Sequence, residues 1–312
     1  MVSDNPADSH QSEQAATRSG IVALAGKPNV GKSTLLNAIL GQKLSIVSRK
    51  AQTTRQQVLG ILSREDWQVA FIDTPGVMEP RDRLQEFMVQ SSFKAVSGAD
   101  LAVVMVDARG GRLDDLDEFF NRLARIDIPR LLVINKVDLV EKTKLLPLIQ
   151  RFNDSGLFEA IVPVSALHGQ GVDELLGEIA SRLPEGPFLY DPEQIATQPM
   201  RFFAAELIRE TIFEQTRDEL PYAATVSVDE YKERSTGKFY IKALIYVERD
   251  SQKKIIIGRK GALLKLIGKE SRCKIEEFTG TGVFLELWVK VRDKWRKDQP
   301  FLHDSGFDRN QI

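Results

Sequence analysis

Between Gly20 and Leu183, short apolar runs alternate with longer amphipathic stretches. The runs are Ile21–Ala25, Trp67–Ile72, Leu101–Val106, Arg130–Ile134 and Ala160–Val164. β-rich segments interleaved with helices predict a mostly parallel sheet with helices on both faces. In such α/β sheets ligands sit at the C-terminal ends of the strands. The loops after those runs are therefore where chemistry is expected.

The pattern then breaks. Leu183-Pro184-Glu185-Gly186-Pro187, Asp191-Pro192 and Gln198-Pro199 interrupt any helix and read as a linker over residues 185–198. Beyond it, a helix is predicted over Pro199–Gln215, strands over Ala223–Glu230 and Phe239–Glu248, a helical region over Lys254–Phe278, and a last strand over Gly282–Val291. This defines a small α+β unit, residues 199–298, after an α/β domain of residues 20–184, with a tail of residues 299–312. Residues 1–19 lack apolar periodicity and the apolar stretch of a signal peptide, and read as a disordered lead-in.

Composition agrees with two soluble domains: 312 residues, 42% hydrophobic and 28% charged. The longest apolar run, Leu101–Val106, is far shorter than the roughly 20 residues of a membrane span. A lone Cys273 and scattered His10, His168 and His303 exclude an internal disulfide and argue against a zinc cluster, which points to a reducing compartment. Cys273 is expected in the core of the second domain, and His168 in a loop beside a base. Charge is segregated: residues 251–300 hold 13 Lys and Arg against 6 Asp and Glu. A basic end on an acidic body suits a polyanionic partner at one end.

Gly26-Lys27-Pro28-Asn29-Val30-Gly31-Lys32-Ser33 follows a predicted strand and opens the helix Lys32–Leu40, the context a phosphate-binding loop requires. Backbone amides of Gly26, Asn29, Val30, Gly31 and Thr34 would wrap phosphate at a helix N-terminus. Lys32 would reach the β and γ phosphates, and the Ser33 hydroxyl would meet Mg²⁺. Asp73-Thr74-Pro75-Gly76 ends the next strand, where Asp73 would hold Mg²⁺ through water. Asn135-Lys136-Val137-Asp138 and Ser165-Ala166-Leu167 end two more strands. A carboxylate at 138 accepts from both guanine N1–H and the 2-amino group, whereas adenine would leave it unpaired. Asn135 and Lys136 would brace the loop and cover the base, with the Ser165 and Ala166 amides approaching its carbonyl.

These four motifs, in this order, resemble the GTPases of the translation-factor-related class. The resemblance implies that Gln52-Thr53-Thr54-Arg55 is the first switch, with Thr54, or else Thr53, on Mg²⁺, and that Val77–Leu84 forms the second. One departure stands out: signalling GTPases carry a water-orienting glutamine where this chain has Val77, and an aliphatic side chain cannot orient water. The catalytic group is left unassigned. Asn29 resembles an asparagine that helps bind K⁺ in related cation-dependent GTPases.

Ile257-Gly258-Arg259-Lys260-Gly261 places a basic G-x-x-G between apolar residues. Alone it marks no more than a helix-to-helix turn. Its basic centre, its apolar flanks and the surrounding positive charge point to a KH-like loop pressed against a single-stranded nucleic acid backbone. The run Lys290–Lys297, with Trp288 and Trp295 nearby, fits an extended RNA surface, a contact with anionic lipid or a solvated basic face.

A GTPase domain followed by one type II KH-like domain resembles the Era family of bacterial GTPases. The resemblance spans about residues 20–300. It implies a GTP-hydrolysing factor that binds the 3′ end of small-subunit (16S) rRNA and assists small ribosomal subunit assembly. It also implies a cytoplasmic protein with weak peripheral association at the inner face of the cell membrane. The alternative is a signalling GTPase whose second domain docks protein or lipid; a further one is an RNA-binding assembly protein that barely turns over GTP.

Overall fold

The computed structural model describes residues 17–48, 50, 52–110, 117–235 and 237–307. Most of the expected lead-in, and the last five residues of the tail, lie outside them.

The first domain runs β1 (Arg18–Gly26), α1 (Lys32–Leu40), β2 (Val58–Ser63), β3 (Trp67–Asp73), α2 (Arg83–Ser97), β4 (Leu101–Asp107), α3 (Asp117–Leu123), β5 (Arg130–Asn135), α4 (Lys142–Asp154), β6 (Ala160–Val164) and α5 (Val172–Ala180). Its sheet has the order β2-β3-β1-β4-β5-β6, and all neighbours are parallel except β2 against β3. The central strands are buried on both faces, which is why they are apolar along their length. One core packs beneath α1 and α5, and another beneath α2, α3 and α4.

Three features depart from the sequence reading. An additional strand, β2, forms the antiparallel edge; Gly60 and Ser63 interrupt its apolar pattern. The first strand begins at Arg18, because the backbone of residues 17–19 bonds to Pro184, Gly186 and the Asp66 carbonyl and the Ser19 hydroxyl donates to Pro187 O, with no apolar signature needed. The connecting residues 185–198 lie along β2: Ile61 N–H donates to Ile195 O at 2.8 Å, and Gln68 exchanges two hydrogen bonds with the Tyr190 backbone. An exposed strand edge is thereby covered.

The second domain runs α6 (Met200–Gln215), α7 (Leu220–Ala223), β7 (Thr225–Glu233), β8 (Phe239–Val247), α8 (Asp250–Ile257), α9 (Ala262–Thr279), β9 (Val283–Val291) and α10 (Gln299–Asp304). The sheet order is β7-β8-β9, antiparallel then parallel. Its core joins Ile208, Ile212, Ile245, Ile256, Ile267 and Ile275. Cys273 is exposed, contrary to expectation. It lies two residues from buried Ser271, about 200° round the helix, on the solvent side.

Residues read as a tail belong to the fold. Phe301, Leu302 and Phe307 pack with fully buried Trp295 against Leu84, Phe87 and Met88 of α2, joining the two domains through a fourth apolar cluster.

Candidate functional site

The phosphate loop is shaped by close approach. Gly31 has φ 105°, and a Cβ there would lie 2.1 Å from Asn135 Nδ2. Lys32 is buried, and its Nζ donates to the carbonyls of Gly26 at 3.1 Å and Lys27 at 3.0 Å. Burial pulls its pKa down to about 8, against the opposing charge of Asp73. Asn29 sits in the left-handed region at φ 63°, and Val30 is buried. Thr34 follows on the first turn of α1.

Ser33, Thr54 and Asp73 converge from three segments. Asp73 Oδ2 accepts from Ser33 Oγ at 2.7 Å and lies 3.3 Å from Thr54 Oγ1, and the two hydroxyls are 2.8 Å apart. Asp73 Oδ1 is buried with no hydrogen-bond partner. Burial pushes this carboxyl above its ordinary range, opposed by the charge of Lys32 and by hydroxyl hydrogen bonds led by Ser33. A buried unpartnered carboxylate oxygen beside two hydroxyls is a donor set that fits a small hard cation. Of the two threonines, Thr54 faces this set, while the Thr53 carbonyl turns away to accept from Arg209.

The segment expected to form the second switch is stapled to β1 and the phosphate loop. Thr74 Oγ1 donates to Leu24 O at 2.7 Å, and Pro75 O accepts from Ser92. A Cβ on Gly76 would lie 2.6 Å from Pro28 Cα. Val77 N–H donates to Gly26 O at 3.0 Å, and its side chain is buried.

At the base end, Asn135 ties three loops together: its Nδ2 donates to Val30 O at 2.7 Å and its Oδ1 accepts from Ala166 N at 3.0 Å. Lys136, at φ 67°, donates to Asp107 Oδ2 at 2.8 Å and to the Asn29 carbonyl. Burial would raise the Asp107 carboxyl, but hydrogen bonds from Arg109 and Lys136 hold it down at about 2. Ser165 Oγ donates to Asp138 Oδ1 at 2.5 Å, and His168 Nε2 is 3.8 Å from its other oxygen. The Ser165 and Ala166 amides, expected to face the base, have partners within the protein, Gln170 O and Asn135 Oδ1. Leu167 is exposed.

The segment expected to form the first switch, with its flanking residues, reaches into the second domain. The Arg55 guanidinium is buried and donates to Ala224 O at 2.7 Å, Pro221 O at 3.1 Å and Tyr222 O at 3.0 Å. It lies 5.7 Å from the Phe213 ring centroid and 5.8 Å from that of Trp295. Burial, and then neighbouring Arg209, pull its pKa down to about 9. Lys50 Nζ donates to Phe213 O and Thr216 O, and Gln56 donates to Ser305 O at 2.6 Å. Gln52, at φ 62°, approaches Gln85 of α2. Arg296 bridges Asp82, the N-cap of α2, and Glu248.

In the second domain Gly258 (φ 73°), Lys260 (φ 50°) and Gly261 (φ 78°) form a tight turn between α8 and α9. A Cβ on Gly258 would lie 2.8 Å from Leu263 Cβ. Ile257 is half-buried, while Arg259 and Lys260 are exposed. Beside the turn, a groove of about 810 Å³ separates α9 from β9, with Leu264, Leu285 and Leu287 on its walls and Lys265, Lys269 and Arg272 along it. The basic run after it is not one surface: Trp295 is buried, Arg292 pairs with Asp298, and Arg296 faces α2.

Comparison with known proteins agrees with this two-part geometry. Residues 21–136 match the model of the 50S ribosome-binding GTPase family, and residues 219–296 match that of the KH domain. The chain is 49% identical over 292 residues to GTPase Era of Geobacter metallireducens, covering 93% of this chain and 98% of the relative. The chain belongs to the Era family of GTPases. GTPase Era of Afipia carboxidovorans is 44% identical over 302 residues, covering 96% of this chain and 98% of its own length. A variant of Aquifex aeolicus Era bound to GDP·AlF4⁻ superposes with a TM-score of 0.90 at 41% identity, covering 93% of this chain and 99% of the other. An Era complex with MgGDPNP and nucleotides 1506–1542 of 16S ribosomal RNA matches equally well, at TM-score 0.90. As a member of this family, the protein converts GTP and water to GDP and phosphate.

Asp107, Arg209 and Phe213 were not among the residues singled out in the sequence, and Trp295 was read there as part of a basic surface rather than as a buried residue. Asp107 carried a usable signal, an acid at the end of an apolar strand. Arg209 carried none, because its acceptor on switch I is a backbone carbonyl.

Two outcomes are expected. Asp138→Asn should lower GTP affinity by roughly 100-fold and favour xanthosine triphosphate, since the amide donates where the carboxylate accepted; competition against a fluorescent nucleotide checks this. Arg55→Ala should slow GTP turnover at least about tenfold, or ~1.4 kcal/mol, with GDP affinity nearly unchanged. Steady-state kinetics beside GDP titration reads that split.

Proposed function

We propose that this chain is a GTP-driven switch that binds the single-stranded 3′ end of small-subunit (16S) rRNA and assists assembly of the small ribosomal subunit. The observation that carries the reading is the insertion of Arg55 of switch I into the RNA-binding-type domain, at the end of α7 and beside Phe213 of α6. The Era relative in complex with nucleotides 1506–1542 of 16S ribosomal RNA supports the choice of RNA.

In this reading the loop Gly26–Thr34 wraps the phosphates, with Lys32 charged against them. Ser33, Thr54 and Asp73, the last through water, would hold Mg²⁺. When bound, Mg²⁺ neutralises phosphate charge as it develops. Asp138 reads the guanine edge; Asn135 fixes the loops around it, and Lys136, steered by Asp107, covers the base. Val77 offers water no hydrogen bond, and its amide is already engaged by Gly26. Hydrolysis in this reading therefore relies on phosphate positioning, backbone groups, another residue or a partner rather than on Val77. K⁺ beside Asn29 would add positive charge at the phosphates; equal turnover in Na⁺ and K⁺ buffers would remove that element.

Ile257 and Gly258-Arg259-Lys260-Gly261 hold the RNA backbone, while the apolar groove receives bases. If the caged form of Arg55 is favoured by both GTP and RNA, each ligand tightens the other by the same factor. Affinity for a 16S 3′-end oligonucleotide is expected to differ between a GTP analogue and GDP; equal affinity ends the coupling. Arg259→Asp/Lys260→Asp should reduce the salt slope of binding by roughly 1.4 and abolish crosslinking to that RNA in cells. Undiminished crosslinking would return the second domain to a protein- or lipid-docking role.

A further inference from the structure

The sheet of the second domain has two faces. Alternation along the strands sends Ile241, Ala243 and Ile245 into the core beneath the helices. It sends Tyr240, Leu244 and Tyr246 of β8, and Phe284, Glu286 and Trp288 of β9, to the opposite face, where the register pairs Tyr240 with Phe284 and Leu244 with Trp288. The C-terminal segment covers one end of this face, with the Tyr246 and Phe301 rings 5.1 Å apart. The other end is open. There Phe284 is 53% and Trp288 54% exposed.

These rings are organised rather than scattered. Tyr240 and Phe284 stack with centroids 5.9 Å apart and planes at 22°. The Arg234 guanidinium lies over both, 4.6 Å from Tyr240 and 5.0 Å from Phe284. Tyr240 Oη and Trp288 Nε1 both donate to Glu286, which holds one ring on each side of it. Two large aromatics four residues apart on an edge strand form an apolar patch of a kind that soluble surfaces usually bury.

Phe284 also lines the groove between α9 and β9. The groove runs from the Gly261 turn toward Arg272 and Phe284, so its far end opens onto the ridge around one edge strand. A chain held by its phosphates at Arg259 and Lys260 would emerge beside stacked rings and a guanidinium. Every base has a π face, and exposed aromatics with an arginine form the usual sequence-tolerant platform for unpaired nucleotides.

We propose that Arg234, Tyr240, Phe284 and Trp288 form a second nucleotide-binding surface, on which bases beyond those in the groove stack as the strand rounds β9. The inference rests on the reading of the groove as a single-strand site. It deepens that reading: a KH groove takes about four nucleotides, and this ridge lengthens the footprint.

The test uses the full chain and fluorescein-labelled single-stranded RNA of two lengths, about four and about eight nucleotides. Wild type should bind the longer RNA more tightly. Tyr240→Ala and Trp288→Ala, neither of which lines the groove, should each weaken the longer RNA by about tenfold and leave the shorter unchanged; Trp288→Phe should restore it. Fluorescence of Trp288, read as the difference between wild type and Trp288→Phe, should be quenched by the longer RNA alone. Wild-type affinity of both alanine variants for the longer RNA would overturn the second surface while leaving the groove intact. Failure of wild type to bind either RNA, with Arg259→Asp/Lys260→Asp indistinguishable from it, would overturn the groove reading and the ridge with it. Unchanged urea unfolding of the variants separates lost contact from lost fold.

Discussion

Two cations, Arg55 of switch I and Lys50 just before it, close two helix ends of the other domain. The last carbonyls of a helix have no intrahelical partner and carry partial negative charge. At the end of α7, Pro221, Tyr222 and Ala224 offer such carbonyls to Arg55; at the end of α6, Phe213 and Thr216 offer theirs to Lys50. Both contacts flank Thr53 and Thr54, so the hydroxyl that meets Ser33 and Asp73 is positioned from the second domain. Packing of Trp295, Phe301 and Leu302 on α2 places the second switch under the same constraint.

The chemistry of the cage suits a contact that opens and closes. Removing a guanidinium from water is costly unless its donors are satisfied. Here they meet carbonyl dipoles and ring faces, and the lowered pKa of Arg55 reflects burial first and then the like charge of Arg209, partly opposed by Glu206. A buried ion pair would bind the domains more firmly and penalise release more heavily. Among the described residues, Lys43 pairs with Glu210 and Arg296 with Asp82 across the interface, each with a partly exposed cation.

The nucleotide site was readable in the sequence because its chemistry is local. Four motifs end four strands, and each needs only contiguous residues whose spacing survives in one dimension. The G-x-x-G turn was readable for the same reason. What joins the two was not. Arg55 finds acceptors 166 to 169 residues away, and they are backbone carbonyls, which leave no complementary side chain to notice. Trp295 sat within a basic run that resembled a surface, yet it is fully buried. The short helix α10 has only Phe301 and Leu302 to mark its buried face, too few for periodicity to appear. β2 was missed because a glycine interrupts its pattern, and the exposure of Cys273 depends on helix phase, which a lone cysteine does not announce.

The route from phosphate to RNA groove follows from these contacts. α6 and α7 carry the carbonyls that hold switch I, and α6 packs on α9, where buried Glu210 pairs with Lys274 at 3.0 Å. α9 is one wall of the groove. Spatial continuity alone does not make a pathway; coupling requires an element with two states that both ligands bias. In the proposed switch the cage would be that element: Arg55 would be either held by the three carbonyls or returned to water, since intermediate positions would leave its charge buried and unpaired. A ligand that favours the held state tenfold contributes about 1.4 kcal/mol to it. That is comparable to a single charge-assisted hydrogen bond of the three Arg55 makes. Modest preferences at either end are therefore enough to move an equilibrium set by one side chain.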